Sequence, residues 1–288
     1  MSVVNTNVNA SIAQAALSRN DKALSSAMQQ LSTGRKINSA ADNASGLAIS
    51  ARLTSQIRGL DQAVSNANDA MSMISTAEGA LEEITDMLQR VRELAVQSGT
   101  GTTSASDRSF LHSEFVALMA EIDRIADNTE WNGRTILNGL AGGATSTVAF
   151  QVGMDPKQTI SLSFGNFTNA ANKTMNSLTP AGQVTLSTAT VASAVNQAST
   201  VITAADVAIE AVSTQRATFG AISNRLEHAV DNLTSVKTYS EASRSRILDT
   251  DYAAATSELA RTQIIQQAGT AMLAQANQLP QTVLALLQ

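Results

Sequence analysis

The chain reads as a mainly α protein: an elongated antiparallel bundle of long helices, its N- and C-terminal helices paired as a coiled coil, with a small β-hairpin insertion. Three observations predict that architecture. Apolar residues recur at alternating three- and four-residue steps through most of the 288 residues, the seam of a helix that packs on another helix. Aromatics make up 3% of a chain that is 43% hydrophobic, so periodic Ala, Leu, Ser and Gln must do the packing that aromatics do in a compact globule. Residues 1–18 and 262–288 hold no charged side chain, and two charge-free ends on a charged chain point to helices that meet each other.

In order, the first helix starts between Val4 and Asn9 and runs to about Leu31, with Val3, Ala10, Leu17, Leu24 and Leu31 in one seven-residue column. Gly34 breaks it, and 32–44 is a polar connector. A long helix begins near Asn43 and carries Leu53, Ile57, Leu60, Val64, Ala67, Met71, Ile74, Ala77, Leu81, Ile84, Leu88, Val91 and Ala95. Its one irregularity is a stammer at Met71–Ile74–Ala77, and it should be roughly 80 Å long at 1.5 Å per residue. After a loop at 99–106, a third helix presents Leu111, Phe115, Leu118, Ile122 and Ile125, and the short loop makes it antiparallel to the second. Residues 128–143 are irregular, with Asn-Gly turns at 132–133 and 138–139. TVAFQV (147–152) and TISLSF (159–164) alternate as a hairpin around Asp155-Pro156. Helical seams resume from about 191, a hinge is expected at 240–250, and the tail closes the chain. In the tail, Ile265, Met272, Leu279 and Leu286 recur every seven residues, with Gly269, Ala276 and Val283 four places after the first three.

The segments divide as 1–38 and 248–288 (the two parts of an inner helical domain), 39–143 and 191–247 (the two parts of an outer bundle), and 144–190 (hairpin and variable surface). A net charge of −5 without a Lys/Arg cluster leaves no footprint for nucleic acid. The tail is too rich in Gln, and interrupted by Pro280, for a membrane span. Zero cysteines exclude disulfide and thiolate chemistry, and no cleavable signal peptide is visible. Glu82-Glu83 and Asp249-Thr250-Asp251 read as a solvated face and an acidic helix start. His112 and His228 are isolated from any ligand spacing. No phosphate loop, nucleophile elbow or metal pattern is present, so neither an enzyme site nor a cofactor is expected.

Three stretches are then decisive: LSTGRKINSAADNASGLAIS (31–50), QRVRELAVQS (89–98), and SRILDTDY with QIIQQAGTAMLAQANQLPQTVLALL (245–252 and 263–287). Over about the first 140 and last 90 residues the chain resembles bacterial flagellin, in a short form with a minimal middle. The resemblance implies a secreted, extracellular filament subunit that forms a helical homopolymer for swimming. Its terminal helices, with Val3, Ala10, Leu17, Leu24, Leu31, Ile265, Met272, Leu279, Val283 and Leu286, would line the assembly interface. Hook-junction and cap proteins are implied partners, as is an export chaperone on the C-terminal helix. Gln89, Arg90, Leu94, Gln97 and Glu114 match the family's intersubunit stripe, which is also the surface seen by a flagellin-sensing Toll-like receptor. A hook–filament junction protein and a surface adhesin or glycan-binding protein are the alternatives. The intact 89–98 stretch disfavours the first, and the lack of convergent aromatics in 144–190 disfavours the second.

Physical reasoning adds three expectations. Residues 1–35 and 250–288 should be disordered in the monomer and fold on assembly. Uncharged Asn and Gln suit a packed helical wall, since they bond across it without burying ions. Filament switching requires contacts with two arrangements of similar energy, and the stammer near Ile74 and the 147–164 hairpin are the candidate places.

Overall fold

A computed structural model describes residues 7–143, 145–168 and 191–285, without the side chains of 191, 192, 194 and 279–285. Five helices and two small antiparallel ladders follow the expected order: α1 Val8–Thr33, α2 Ala44–Ser98, α3 Ala105–Asn128, β1 Glu130–Trp131, β2 Arg134–Thr135, β3 Thr147–Gln151, β4 Thr159–Ser163, α4 Val191–Leu248 and α5 Tyr252–Ala285. The chain divides into two compact units, Met1–Arg58 with Thr238–Gln288 and Gly59–Lys237. The junctions expected at 38/39 and 247/248 both fall inside the first unit.

Local chemistry explains where the elements stop. Asn7 caps α1 through its side-chain oxygen, which accepts from Ala10 N–H. Gly34 ends it at φ 68°, a left-handed conformation that excludes a Cβ at little cost only for glycine; a Cβ there would also come within 3.0 Å of the Tyr252 hydroxyl. Asn43 Oδ1 accepts from Gly46 N–H at the start of α2. Ser104 and Asp107 form a reciprocal capping box on α3.

In the second unit, α2, α3 and α4 bury a continuous apolar cluster that also takes in Ile160 and Leu162 of β4 and Phe164 and Phe167 just after it. The expected column holds at Ile74, Ala77, Leu81, Ile84, Leu88, Val91 and Ala95, all buried. It fails at Val64 and Met71, which are half-buried while Ala63 and Ala70 are buried. The steps Ala67–Ala70–Ile74–Ala77 therefore alternate regularly, and the consecutive three-residue steps lie at Ile57–Leu60–Ala63 instead. Adjacent buried positions, Met73 with Ile74 and Leu94 with Ala95, have a simple cause. A helix packed between two partners buries a wider arc than the single seam of a two-stranded coil.

Ion pairs fix the direction of α4 against α2: Asp61–Lys237, Glu78–Arg216 and Arg92–Asp206 descend α4 as they climb α2, so the two are antiparallel. The β3–β4 ladder pairs Thr147 with Ser163 and Gln151 with Thr159, as the alternation predicts. It is pinned on both sides, by Asn66 Nδ2 donating to the Gln151 carbonyl and Gln215 Nε2 to that of Ser163. Phe164 lies against Phe219 of α4 with ring centroids 5.3 Å apart. The hairpin expected to supply switching freedom is thus anchored to two helices.

Two expectations are corrected outside the bundle core. The irregular 128–143 stretch contains a second ladder, β1–β2, turned by Asn132 and Gly133 at φ 52° and 73°, the signature of a type I′ hairpin. The hinge expected from 240 is shorter, because α4 continues to Leu248.

Candidate functional site

The charge-free ends do pair. In the first unit α1 and α5 run antiparallel: Asn7 Nδ2 donates to the Ala276 carbonyl at 2.8 Å, Asn20 Nδ2 to the Thr262 carbonyl at 2.8 Å, and Gln266 Nε2 to Asp21 Oδ1 at 3.1 Å. A two-residue bridge, Arg35 with Asp249, closes the far end of the pair.

The expected column Ala10, Leu17, Leu24 and Leu31 is half-buried, interleaved with Ala13, Asn20 and Ala27 at three- and four-residue steps, so α1 presents both halves of a heptad seam. On α5 the seam is different from the one expected. Ala255, Thr262 and Ala276 are buried and Leu259, Gln266, Gly269 and Leu273 half-buried, whereas Ile265 and Met272 are exposed at 44% and 67%. The reason is register. Gly269 and Ala276 are four places after Ile265 and Met272, and the smaller residues take the inner line because they let the backbones approach. A Cβ on Gly269 would stand 3.2 Å from Leu17 Cδ1. Val3, Leu279, Val283 and Leu286 lie outside the described residues or side chains.

Turning Ile265 and Met272 outward builds a surface. With Ile12, Ala16, Leu17 and Gly269 they line an apolar groove of about 450 Å³ along the pair. Val8, Ile12, Met28, Ile264, Ile265 and Met272 are all at least half exposed or nearly so, at 44–67%, unusual for large aliphatics gathered on one two-helix unit.

The second predicted site is in the other unit. Gln89, Arg90, Gln97 and Glu114 are exposed. Arg90 reaches across from α2 to Glu114 of α3 at 2.8 Å and along its own helix to Glu93 at 3.0 Å; bonding to Glu93, then to Glu114, raises its already high pKa. Leu94 is a correction. It is fully buried in the bundle cluster, since α2 packs two partners, and no outside surface can touch it.

The amide contacts of Asn7, Asn20 and Gln266 were visible only as a composition bias; nothing in the spacing said which amides face inward. Among the described residues no cluster of His, Cys, Asp and Glu could hold a metal, and no helix is long and apolar enough to cross a membrane.

These features define an α-helical subunit whose termini form one paired-helix unit and whose middle forms a bundle with a hairpin on it. The model of the bacterial flagellin N-terminal helical region matches residues 4–141, and that of the C-terminal helical region matches 202–287. Flagellin of Halalkalibacterium halodurans is 43% identical over 91% of each chain. The flagellar filament 33 kDa core protein of Treponema phagedenis is 39% identical over 99% of this chain and all of its own. The fold is shared with a putative flagellar hook-associated protein from Vibrio parahaemolyticus at 14% identity, TM-score 0.58, covering 72% of this chain and all of that one. The chain belongs to the bacterial flagellin family and is a flagellar filament subunit.

Proposed function

We propose that this subunit polymerises through the outward apolar face of the α1–α5 pair. The supporting observation is the groove edged by Ile12, Ile265 and Met272, which a single copy leaves wet. Each large aliphatic side chain covered by a neighbour contributes about 1.5–3 kcal/mol, so a few repeated at every contact drive assembly. The small and amide residues inside the pair keep its two helices close enough to act as one wall. Secretion through the flagellar export route to an extracellular filament, with cap, hook-junction and chaperone partners, is part of the same reading and is supported by the family resemblance.

Gln89, Arg90, Gln97 and Glu114 form the second contact, where a bundle meets its neighbour and where the Toll-like receptor would dock. Arg90 is held ready by Glu114 and Glu93. Replacing Arg90 with Ala should reduce the response of receptor reporter cells, and an unchanged response removes it from that surface.

The main test is seeded polymerisation followed by electron microscopy. Full-length protein should form filaments; Met272→Gln with Ile265→Gln, and a chain lacking 262–288, should not. Because both side chains are exposed, the double variant should melt within about 0.5 kcal/mol of the parent. Normal filaments from it would remove the groove as the interface.

A further inference from the structure

The apolar seam of α3 ends on a charge. Arg108 continues the line of Phe115, Met119, Ile122 and Ala126 into the first turn of the helix and is 2% exposed. Its Nε and Nη1 are enclosed with no hydrogen-bond partner, and so is Nδ1 of His112, one turn further along the helix. Ser98, the last residue of α2, is also a fully buried polar residue. A guanidinium cannot lose its proton, and one taken out of water without a counter-charge is among the most unfavourable groups a core can hold.

Several acids of α2, α3 and α4 are already engaged. Glu93 and Glu114 hold Arg90, Asp206 holds Arg92, Glu121 holds Arg124, and Asp107 closes the α3 cap through Ser104. We propose that the first turn of α3 opens to let Arg108, assisted by His112, receive an oxyanion supplied from outside the chain. A carboxylate or phosphate-type anion neutralises the guanidinium and accepts its N–H groups. His112 gives one more donor in the tautomer that carries its proton on Nδ1. Phe115, stacked on the imidazole at 6.0 Å, fixes the ring beside the charge. Two sources share this chemistry: a small anion in solution, or an acidic side chain of a second copy. Only the second source rests on the filament reading.

The test uses full-length protein, wild type and Arg108→Met, melted in phosphate and in chloride at equal ionic strength, then polymerised from seeds. If the anion is free, phosphate raises the wild-type Tm saturably, by about 3 °C or more, and leaves Arg108→Met unmoved. If it is a carboxylate of a second copy, phosphate is silent; Arg108→Met then melts at or above wild type, yet its critical concentration for assembly rises about tenfold. The Arg108 Nε–H resonance of the wild type, which needs no variant to fold, should move on adding phosphate or on assembly. A resonance unmoved by both, with Arg108→Met assembling like wild type, would overturn the proposal. Should wild type fail to polymerise, the filament reading falls while the phosphate result still decides the free-anion source.

Discussion

The α1–α5 pair and the α2–α3–α4 bundle are built from the same heptad grammar and differ in what they bury. The bundle encloses Phe115, Phe219, Leu81, Ile84, Leu88 and Leu94 completely. The pair buries Ala, Asn and Thr, only half-buries the leucines of its seam, and leaves Ile12, Ile265 and Met272 outside. One unit is finished when the chain folds; the other has its best apolar surface still to bury. The lesson is that a periodic apolar column does not reveal whether its partner is intramolecular, since Leu88 and Met272 belong to equally regular patterns.

The comparison can be broken most easily at the core. Leu88→Ala should cost about 2–5 kcal/mol by urea denaturation, while Leu24→Ala in the half-buried seam should cost well under half of that. Equal losses would mean that the pair is as tightly packed as the bundle. Next comes Gly269→Val, which drives branched carbons toward Leu17. It should raise the critical concentration for polymerisation at least tenfold, about 1.4 kcal/mol per subunit, and leave the main melting transition nearly unmoved. Amide exchange on the monomer sharpens the same contrast: α1 and α5 should lose protection much faster than the middle of α2, and strong protection throughout would show that the pair is complete alone.

Smaller effects come from single polar contacts. Asn20→Ala removes the bond to the Thr262 carbonyl and should cost about 0.5–1.5 kcal/mol, read as a rise in critical concentration. The smallest is a pH effect. The Ser104 hydroxyl, then its N–H, holds the Asp107 carboxyl below its ordinary range, and N–H groups of Ser39 and Asn38 do the same for Asp42. Depressed folded values mean that both contributions are present above about pH 4 and lost as pH falls through the folded values. Asp107→Asn should therefore lower stability at neutral pH and flatten the acid limb of the stability curve. An acid limb identical to wild type would place the lability elsewhere.

Much of the fold was legible. Gly34, Asn43, the alternation of 147–152 and 159–164, and the columns of α2 and α3 placed their elements because each signal is local: a left-handed residue, a cap, or a period. Misreadings arose where packing chose between neighbours. Ala70 displaced Met71, Leu94 was drawn inward by a second partner helix, and Gly269 took the seam from Ile265. The β1–β2 ladder was hidden because two-residue strands have no period to detect.

The amino-acid sequence by itself determined the element order, the out-and-back path, the charge-free ends and the family, since periodicity and motif are properties of the chain. Only the tertiary structure decided which line of each helix faces inward, and hence that Ile265 and Met272 lie on the surface while Leu94 does not. The physical reason is that neighbouring positions on a helix differ by about 100° of rotation. Close backbone approach, which favours Gly and Ala, selects among them only once the partner helix is in place.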